Sequence, residues 1–180
     1  MEYPQYFNPV IASNFEAQLQ QFKDKPNLTF LQIGVYRGDV SVWLLDNILT
    51  DTSSRLVDVD IWERRSRWPG VDEDLYNLKI NSYLNVVKFK GTSTRFFEQT
   101  TDFFDFIYVD GEYGNKQTYK DCIDSLKRLK TNGLLVIDDY LREDGSPAAR
   151  YKDIVQTIQD NKDNFRFEEL AGQMWVKHLP

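Results

Sequence analysis

Two continuously apolar runs, Phe106-Ile107-Tyr108-Val109 and Leu134-Leu135-Val136-Ile137, limit what this chain can become more than any other feature. Runs of this length without polar alternation are expected of parallel strands covered on both faces. Between them Tyr119, Cys122, Ile123 and Leu126 recur at i, i+3, i+4 and i+7, which predicts a helix with one apolar stripe. Asn132-Gly133, tolerant of a left-handed backbone, is expected to end that helix. Strand, helix, strand in this order means parallel neighbours joined by a right-handed crossover.

The same alternation runs through the rest of the chain. Strands are predicted over residues 28–33, 55–59, 86–89, 104–109 and 134–137. Helices are predicted over 40–49, 72–84, 94–98, 116–129 and 148–159, and residues 165–170 and 174–177 read as a closing hairpin. Ser13-Asn14-Phe15-Glu16 has capping-box spacing and predicts a first helix from there to about residue 22. The expected architecture is α/β: a Rossmann-like, doubly wound, mostly parallel sheet with a C-terminal antiparallel hairpin. With 180 residues and no repeat or linker, the chain reads as a single domain, residues 1–25 forming an N-terminal arm and helix.

Charge narrows the partners. The formal net charge of -6 argues against a nucleic-acid partner, whose phosphates select clustered Lys and Arg. One local exception is Arg64-Arg65-Ser66-Arg67, in a loop that could meet an acidic or phosphorylated substrate or remain solvated. The one cysteine, Cys122, is expected to be a buried, inert thiol. No stretch is long enough to span a bilayer, and Met1-Glu2-Tyr3-Pro4 has neither the basic start nor the apolar run of a secretory signal. A cytoplasmic protein without a membrane partner is expected.

The first strand runs into Gly34-Val35-Tyr36-Arg37-Gly38 and then a helix. Such glycines allow a tight turn and a close ligand, although a plain strand-to-helix turn uses them too. The second strand ends on Asp60, about twenty residues later, where an acid can accept hydrogen bonds from ribose hydroxyls. Asp58 lies on the same side of that strand, and it is expected to be solvated or paired with a basic group. The fourth strand leads into Asp110-Gly111-Glu112-Tyr113, and the fifth into Asp138-Asp139-Tyr140. Neighbouring strands lie about 5 Å apart, so these acids should converge, where they would repel unless protonated or bridged by a hard cation such as Mg²⁺.

Taken in order, Leu31 to Gly38, Arg55 to Trp62, Phe104 to Tyr113 and Leu126 to Tyr140 resemble the class I S-adenosylmethionine-dependent methyltransferases. The likeness is greatest to the small-molecule O-methyltransferase branch related to catechol O-methyltransferase. It implies that Gln32, Gly34, Tyr36, Gly38 and Ser41 surround the methionine part of S-adenosyl-L-methionine, and that Asp60 holds the ribose. Ile61 and Trp62 would border the adenine, with Thr92 and Ser93 near its amino group and Asp110 beside the cofactor. Asp110, Asp138 and Asp139 fall on the branch's Mg²⁺ ligand positions. A metal there would lower the pKa of an acceptor hydroxyl and orient its oxygen.

The chain departs from the pattern in four places. Gln32 stands where the family usually has an acid, Val40 replaces a hydroxyl (with Ser41 following), and Thr92 replaces an aspartate. Tyr113 replaces the His or Lys used as general base. A tyrosine with a pKa near 10 is a poor base at neutral pH, so Glu112 could substitute or the metal suffice; Asp110, Glu112 and Tyr113 are the catalytic candidates. The only histidine, His178, is expected to be a surface residue at a frayed end. The reading is a small-molecule methyltransferase acting on oxygen, with a second subunit in a homodimer as one way to complete the pocket. The rivals are a nicotinamide-dependent oxidoreductase, whose loop would normally carry a third glycine, and a cofactor-binding module whose catalytic centre has decayed.

Overall fold

The computed structural model describes residues 7, 9–62, 73–111, 114–142 and 145–180. Its strands are β1 Thr29–Ile33, β2 Arg55–Asp60, β3 Val86–Lys90, β4 Phe104–Val109, β5 Leu129–Ile137, β6 Phe165–Leu170 and β7 Gln173–His178. Its helices are α1 Pro9–Gln18, α2 Asp39–Asn47, α3 Glu73–Ile80, α4 Ser93–Gln99, α5 Asn115–Arg128 and α6 Lys152–Asp160. Short 3₁₀ turns at Leu19–Phe22 and Ala149–Tyr151 follow α1 and lead into α6.

All seven strands form one sheet in the order β3-β2-β1-β4-β5-β7-β6. The first five strands pair in parallel, while β7 runs antiparallel to both β5 and β6. This is the expected doubly wound sheet with its closing hairpin. Ala171 and Gly172 turn the hairpin, both at positive φ, as a two-residue turn matched to strand twist requires. The strand order reverses between β1 and β4, the place where such sheets open a crevice at their carboxyl edge.

Side-chain alternation splits the core in two. Phe30, Leu56, Phe106, Tyr108 and Val136 face Phe15, Trp43, Leu44 and Ile48 from α1, α2 and its C-terminal turn. Leu31, Val57, Ile107, Val109 and Leu135 face Cys122, Leu126, Ile154 and Ile158 from α5 and α6. Phe15 sits at the centre of the first layer, making edge contacts with Phe7, Trp43, Phe106, Tyr108 and Trp175 at 5.3–5.9 Å. Phe7 therefore ties the start of the described chain to the core. No helix among the described residues is long and apolar enough to cross a membrane.

Four local expectations are corrected. The first helix begins at Pro9 rather than Ser13, and the Ser13 hydroxyl bonds back to the Pro9 carbonyl instead of capping. Proline suits a helix start because its missing N–H has no intrahelical partner there. The helix predicted over 72–84 ends at Ile80, and Leu84 is fully exposed. Asn132-Gly133 does not end α5; that helix stops at Arg128, and Asn132, at φ 66°, lies within β5 beside a register shift against β4. The buried face of α5 carries Thr118, Asp121, Cys122, Ser125 and Leu126, whereas Tyr119 is exposed. Polar residues thus occupy part of a face that apolar periodicity alone assigned to Tyr119.

Candidate active site at the carboxyl edge of the sheet

A staircase of backbone hydrogen bonds fixes the rim. Gly91 N donates to Asp60 O, Gly34 N to Val59 O, Asp110 N to Ile33 O and Asp138 N to Val109 O, each at 2.8–3.0 Å. The ends of five neighbouring strands are therefore laid side by side, carrying the glycine loop, Asp60, the post-β3 turn and the later acids along one edge.

Gly34 is glycine because two strand ends meet there. At φ +84°, a Cβ on it would stand 2.0 Å from the Asp110 carbonyl oxygen. Gly38, at φ +77°, caps α2, and a Cβ there would press within 2.7 Å of the Tyr76 ring. Between them Tyr36 also takes a left-handed backbone, with φ 53°. Asp60 holds this turn. Its Oδ2 accepts from Val35 N at 2.7 Å and Tyr36 N at 2.9 Å, and its Oδ1 accepts from Trp62 N at 2.8 Å.

Several sequence-predicted residues lie under the loop. Gln32 is buried, donating to the Gly34 carbonyl at 3.1 Å and accepting from the buried Ser41 hydroxyl at 3.1 Å. Trp62 is buried, and its indole N–H donates to the Tyr36 carbonyl at 2.9 Å. Ile61 is half-buried, next to Asp60. Asp58 is neither solvated nor joined to a basic group: it is buried and accepts from the Tyr76 hydroxyl at 2.9 Å, while its Oδ1 has no partner. Burial, opposed by the hydroxyls of Ser41 and Tyr76, raises its carboxyl to about 7.

Beyond β3, Thr92 caps α4, its Oγ1 accepting from Arg95 N at 3.2 Å. Ser93 is buried, and the Gln117 amide of α5 reaches its hydroxyl at 3.1 Å and the Asp121 carboxylate at 2.8 Å. Sequence reading missed Gln117. Its signal was faint: one polar residue in the first turn after the fourth strand's acid.

The acids converge as expected. Burial, and then the neighbouring Asp138 and Asp139 charges, hold the Asp110 carboxyl well above the usual carboxylate range. Asp138 is raised by burial first and by Asp139 next. The Tyr108 hydroxyl donates to Asp110 Oδ2 at 3.4 Å. Gln173 donates its amide to Asp138 Oδ1 at 2.8 Å, and the Tyr151 hydroxyl donates to the Asp138 carbonyl at 2.7 Å. Gln173 was also missed; only its place opening the return strand of the hairpin, opposite the end of β5, could have signalled it.

Residues 31–140, more than half of the chain, match the family model described as "Methyltransferase domain". The chain belongs to this methyltransferase family. No curated protein matches it in sequence. Similar solved structures include an O-methyltransferase from Bacillus cereus in complex with S-adenosylhomocysteine, with a TM-score of 0.70 at 16% identity, covering 98% of this chain and 84% of that one. The MycE methyltransferase of the mycinamycin biosynthetic pathway, solved with Mg and S-adenosylhomocysteine, has a TM-score of 0.68 at 14% identity, covering 98% and 52%. An rRNA methylase from Streptococcus thermophilus has a TM-score of 0.65 at 11% identity, covering 98% and 100%. This chain thus spans about half of MycE, and at these identities the likeness establishes the fold. Family and sheet order together bear out the resemblance to class I S-adenosylmethionine-dependent methyltransferases.

The Mg²⁺ expectation concerns Asp110, Asp138 and Asp139, and all three belong to the described residues. Among them, no three His, Cys, Asp or Glu side chains gather into a group that could hold a metal ion. Asp138 is engaged by the Gln173 amide, and Asp139 is exposed at φ 52°. Glu112 and Tyr113, the other candidates for proton transfer, lie outside the described residues, as does the Arg64–Arg67 loop. His178 is not frayed; it pairs with Phe165 and its Nδ1 lies 2.9 Å from the Leu129 carbonyl, at the edge opposite the rim. Cys122 is fully buried, and burial pushes its thiol far up, as expected of an inert residue.

Proposed function

We propose that this methyltransferase transfers a methyl group from S-adenosylmethionine to a hydroxyl oxygen of a small-molecule acceptor. The observation that carries the choice of cofactor is the sign of charge along the rim. Asp60, Asp110, Asp138 and Asp139 line the edge beside the glycine turn, close enough that their charges bear on one another. In addition, Asp39 occupies the first turn of α2, buried and ion-paired with Lys79. In dinucleotide-binding folds that helix N-terminus receives a pyrophosphate. A carboxylate there, before an acidic crevice, disfavours a pyrophosphate and favours a cationic sulfonium.

The residues fit such a ligand. The Gly34–Gly38 turn would carry the methionine part, Asp60 would meet the ribose through the unused capacity of Oδ1, and Ile61 and the Thr92-Ser93 turn would flank the adenine. Bound there, S-adenosylmethionine supplies an electrophilic methyl group on sulfur. The protein's part is to place the acceptor oxygen in line with that methyl, a positional gain that accounts for much of such catalysis. Asp110 stands at the junction of glycine turn and acid cluster and takes the proton that the acceptor hydroxyl releases.

Thermal shift with S-adenosylhomocysteine and with NAD tests the cofactor assignment. Stabilisation by the first alone supports it, and stabilisation by NAD alone replaces it with the oxidoreductase reading. Transfer of labelled methyl groups to a panel of small hydroxyl compounds then tests the activity. Tight cofactor binding with no transfer to any acceptor would favour the decayed module.

A further inference from the structure

We propose that Trp62 and Tyr76 are positioning residues that set the cofactor turn from beneath, an inference that rests on the cofactor reading above. Three observations join at one place. The Trp62 backbone N–H donates to Asp60 Oδ1, and its indole N–H donates to the Tyr36 carbonyl. Asp60 in turn holds the Val35 and Tyr36 amides. Trp62 is thus bonded both to the turn and to the acid that grips it, closing a ring of hydrogen bonds around residues 35–36 and 60–62.

Tyr76 supports this ring. Its side chain is fully buried, its ring lies 4.7 Å from that of Trp62, and it fills the space that only the missing side chain of Gly38 leaves open. Its hydroxyl is anchored on Asp58. Val35 and the partly buried Ile80 complete a small apolar cluster with these two rings, separate from both main core layers. Above the rings, the Lys88 ammonium lies 4.8 Å from the Trp62 centroid and 5.6 Å from that of Tyr76, and it pairs with Glu73 at 2.5 Å.

Backbone conformation supports a positioning role. Tyr36 at φ 53° and Trp62 at φ 42° both take the left-handed form that is strained for a residue with a Cβ. Such conformations persist where the surroundings over-determine them, and here the surroundings are this ring of bonds and the rings below it. Without the indole donor, the Tyr36 carbonyl loses a partner and the turn that presents the cofactor amides can relax.

Trp62→Phe keeps an aromatic ring against Tyr76 and the backbone bond to Asp60 while deleting only the indole N–H. Calorimetric titration with S-adenosylhomocysteine is expected to show binding about ten-fold weaker, the usual worth of one hydrogen bond to a well-placed acceptor. The KM for S-adenosylmethionine should rise to match, with kcat at saturation unchanged. A purely structural role would lower the melting temperature and leave affinity at 25 °C unmoved, and that result overturns the proposal. The unsubstituted protein gives a second readout that does not depend on a variant folding. On saturation with S-adenosylhomocysteine, the Trp62 indole N–H resonance should shift and exchange more slowly, while that of Trp43, held in the core, stays fixed. An unmoved Trp62 resonance in the saturated protein also overturns the proposal. If the unsubstituted protein shows no binding at all, the cofactor reading fails, and this inference with it.

Discussion

Replacing Asp58 with asparagine should change how stability depends on pH. Asp58 is buried under the cofactor turn, and its carboxyl is raised from an ordinary 3.8 to about 7, chiefly by desolvation. Between those two values the folded protein binds a proton that the unfolded chain has already released. Stability contributed by this group is therefore full below about pH 4 and is lost as pH climbs towards 7, after which the loss is constant. The interval is roughly three pH units at 1.36 kcal/mol each, or about 4 kcal/mol in all. The asparagine side chain has no such dependence. It can still accept from the Tyr76 hydroxyl, but its amide would occupy the position of an oxygen that has no partner, at a pH-independent cost of about 1–3 kcal/mol. Urea denaturation of both proteins at intervals from pH 4 to 8.5 isolates the effect, because the other titrating groups are common to the two. The stability of Asp58→Asn relative to the parent should rise by about 4 kcal/mol across that range, most steeply between pH 5 and 7. A difference that stays level within 1 kcal/mol would refute the argument that this acid is held protonated by burial.

Three further outcomes follow from packing and charge. Gly34→Ala should abolish S-adenosylhomocysteine binding and lower the melting temperature by several degrees, since its Cβ would strike the Asp110 carbonyl at 2.0 Å and its φ is +84°; circular dichroism melts and calorimetry check both. Phe15→Ala should destabilise the fold by roughly 3–5 kcal/mol, because the ring is fully buried among five aromatic neighbours, and chemical denaturation measures it. If Asp110 takes the acceptor's proton as proposed, turnover after exhaustive EDTA treatment should remain within about two-fold of the untreated enzyme; a collapse restored by added Mg²⁺ would instead give Asp110, Asp138 and Asp139 the role that the resemblance implies.

The legible parts of this fold were those whose signal is local and repeated. Continuous apolar runs marked β4 and β5, and parallel order then placed the acids at their ends on one rim with Gly34 and Asp60. Partnership was less legible than position. Alternation put Asp58 on the same side as Asp60, but whether that side held water, a lysine or the Tyr76 hydroxyl depends on α3, some eighteen residues further on. Gln32 and Ser41, which the resemblance placed around the methionine part of the cofactor, also bond to each other beneath the turn, a contact that neither position alone could signal. The stripe on α5 failed for a related reason. Thr118, Asp121 and Ser125 are polar, so apolar periodicity skipped them, although Asp121 is satisfied by Gln117 on the same helix. Asn132-Gly133 shows that a residue pair suited to a left-handed backbone can serve an irregular strand as readily as a helix end. Each miss concerns a contact between segments distant along the chain or a polar group neutralised by a neighbour.

A crystal structure of the protein soaked with S-adenosylhomocysteine would test the main claim most directly. The nucleoside should lie at the carboxyl edge, its sugar hydroxyls on Asp60 and its amino-acid tail along the Gly34–Gly38 turn, with the sulfur facing Asp110. Density for the ligand at any other surface, or a rim left empty at saturating ligand, would contradict it.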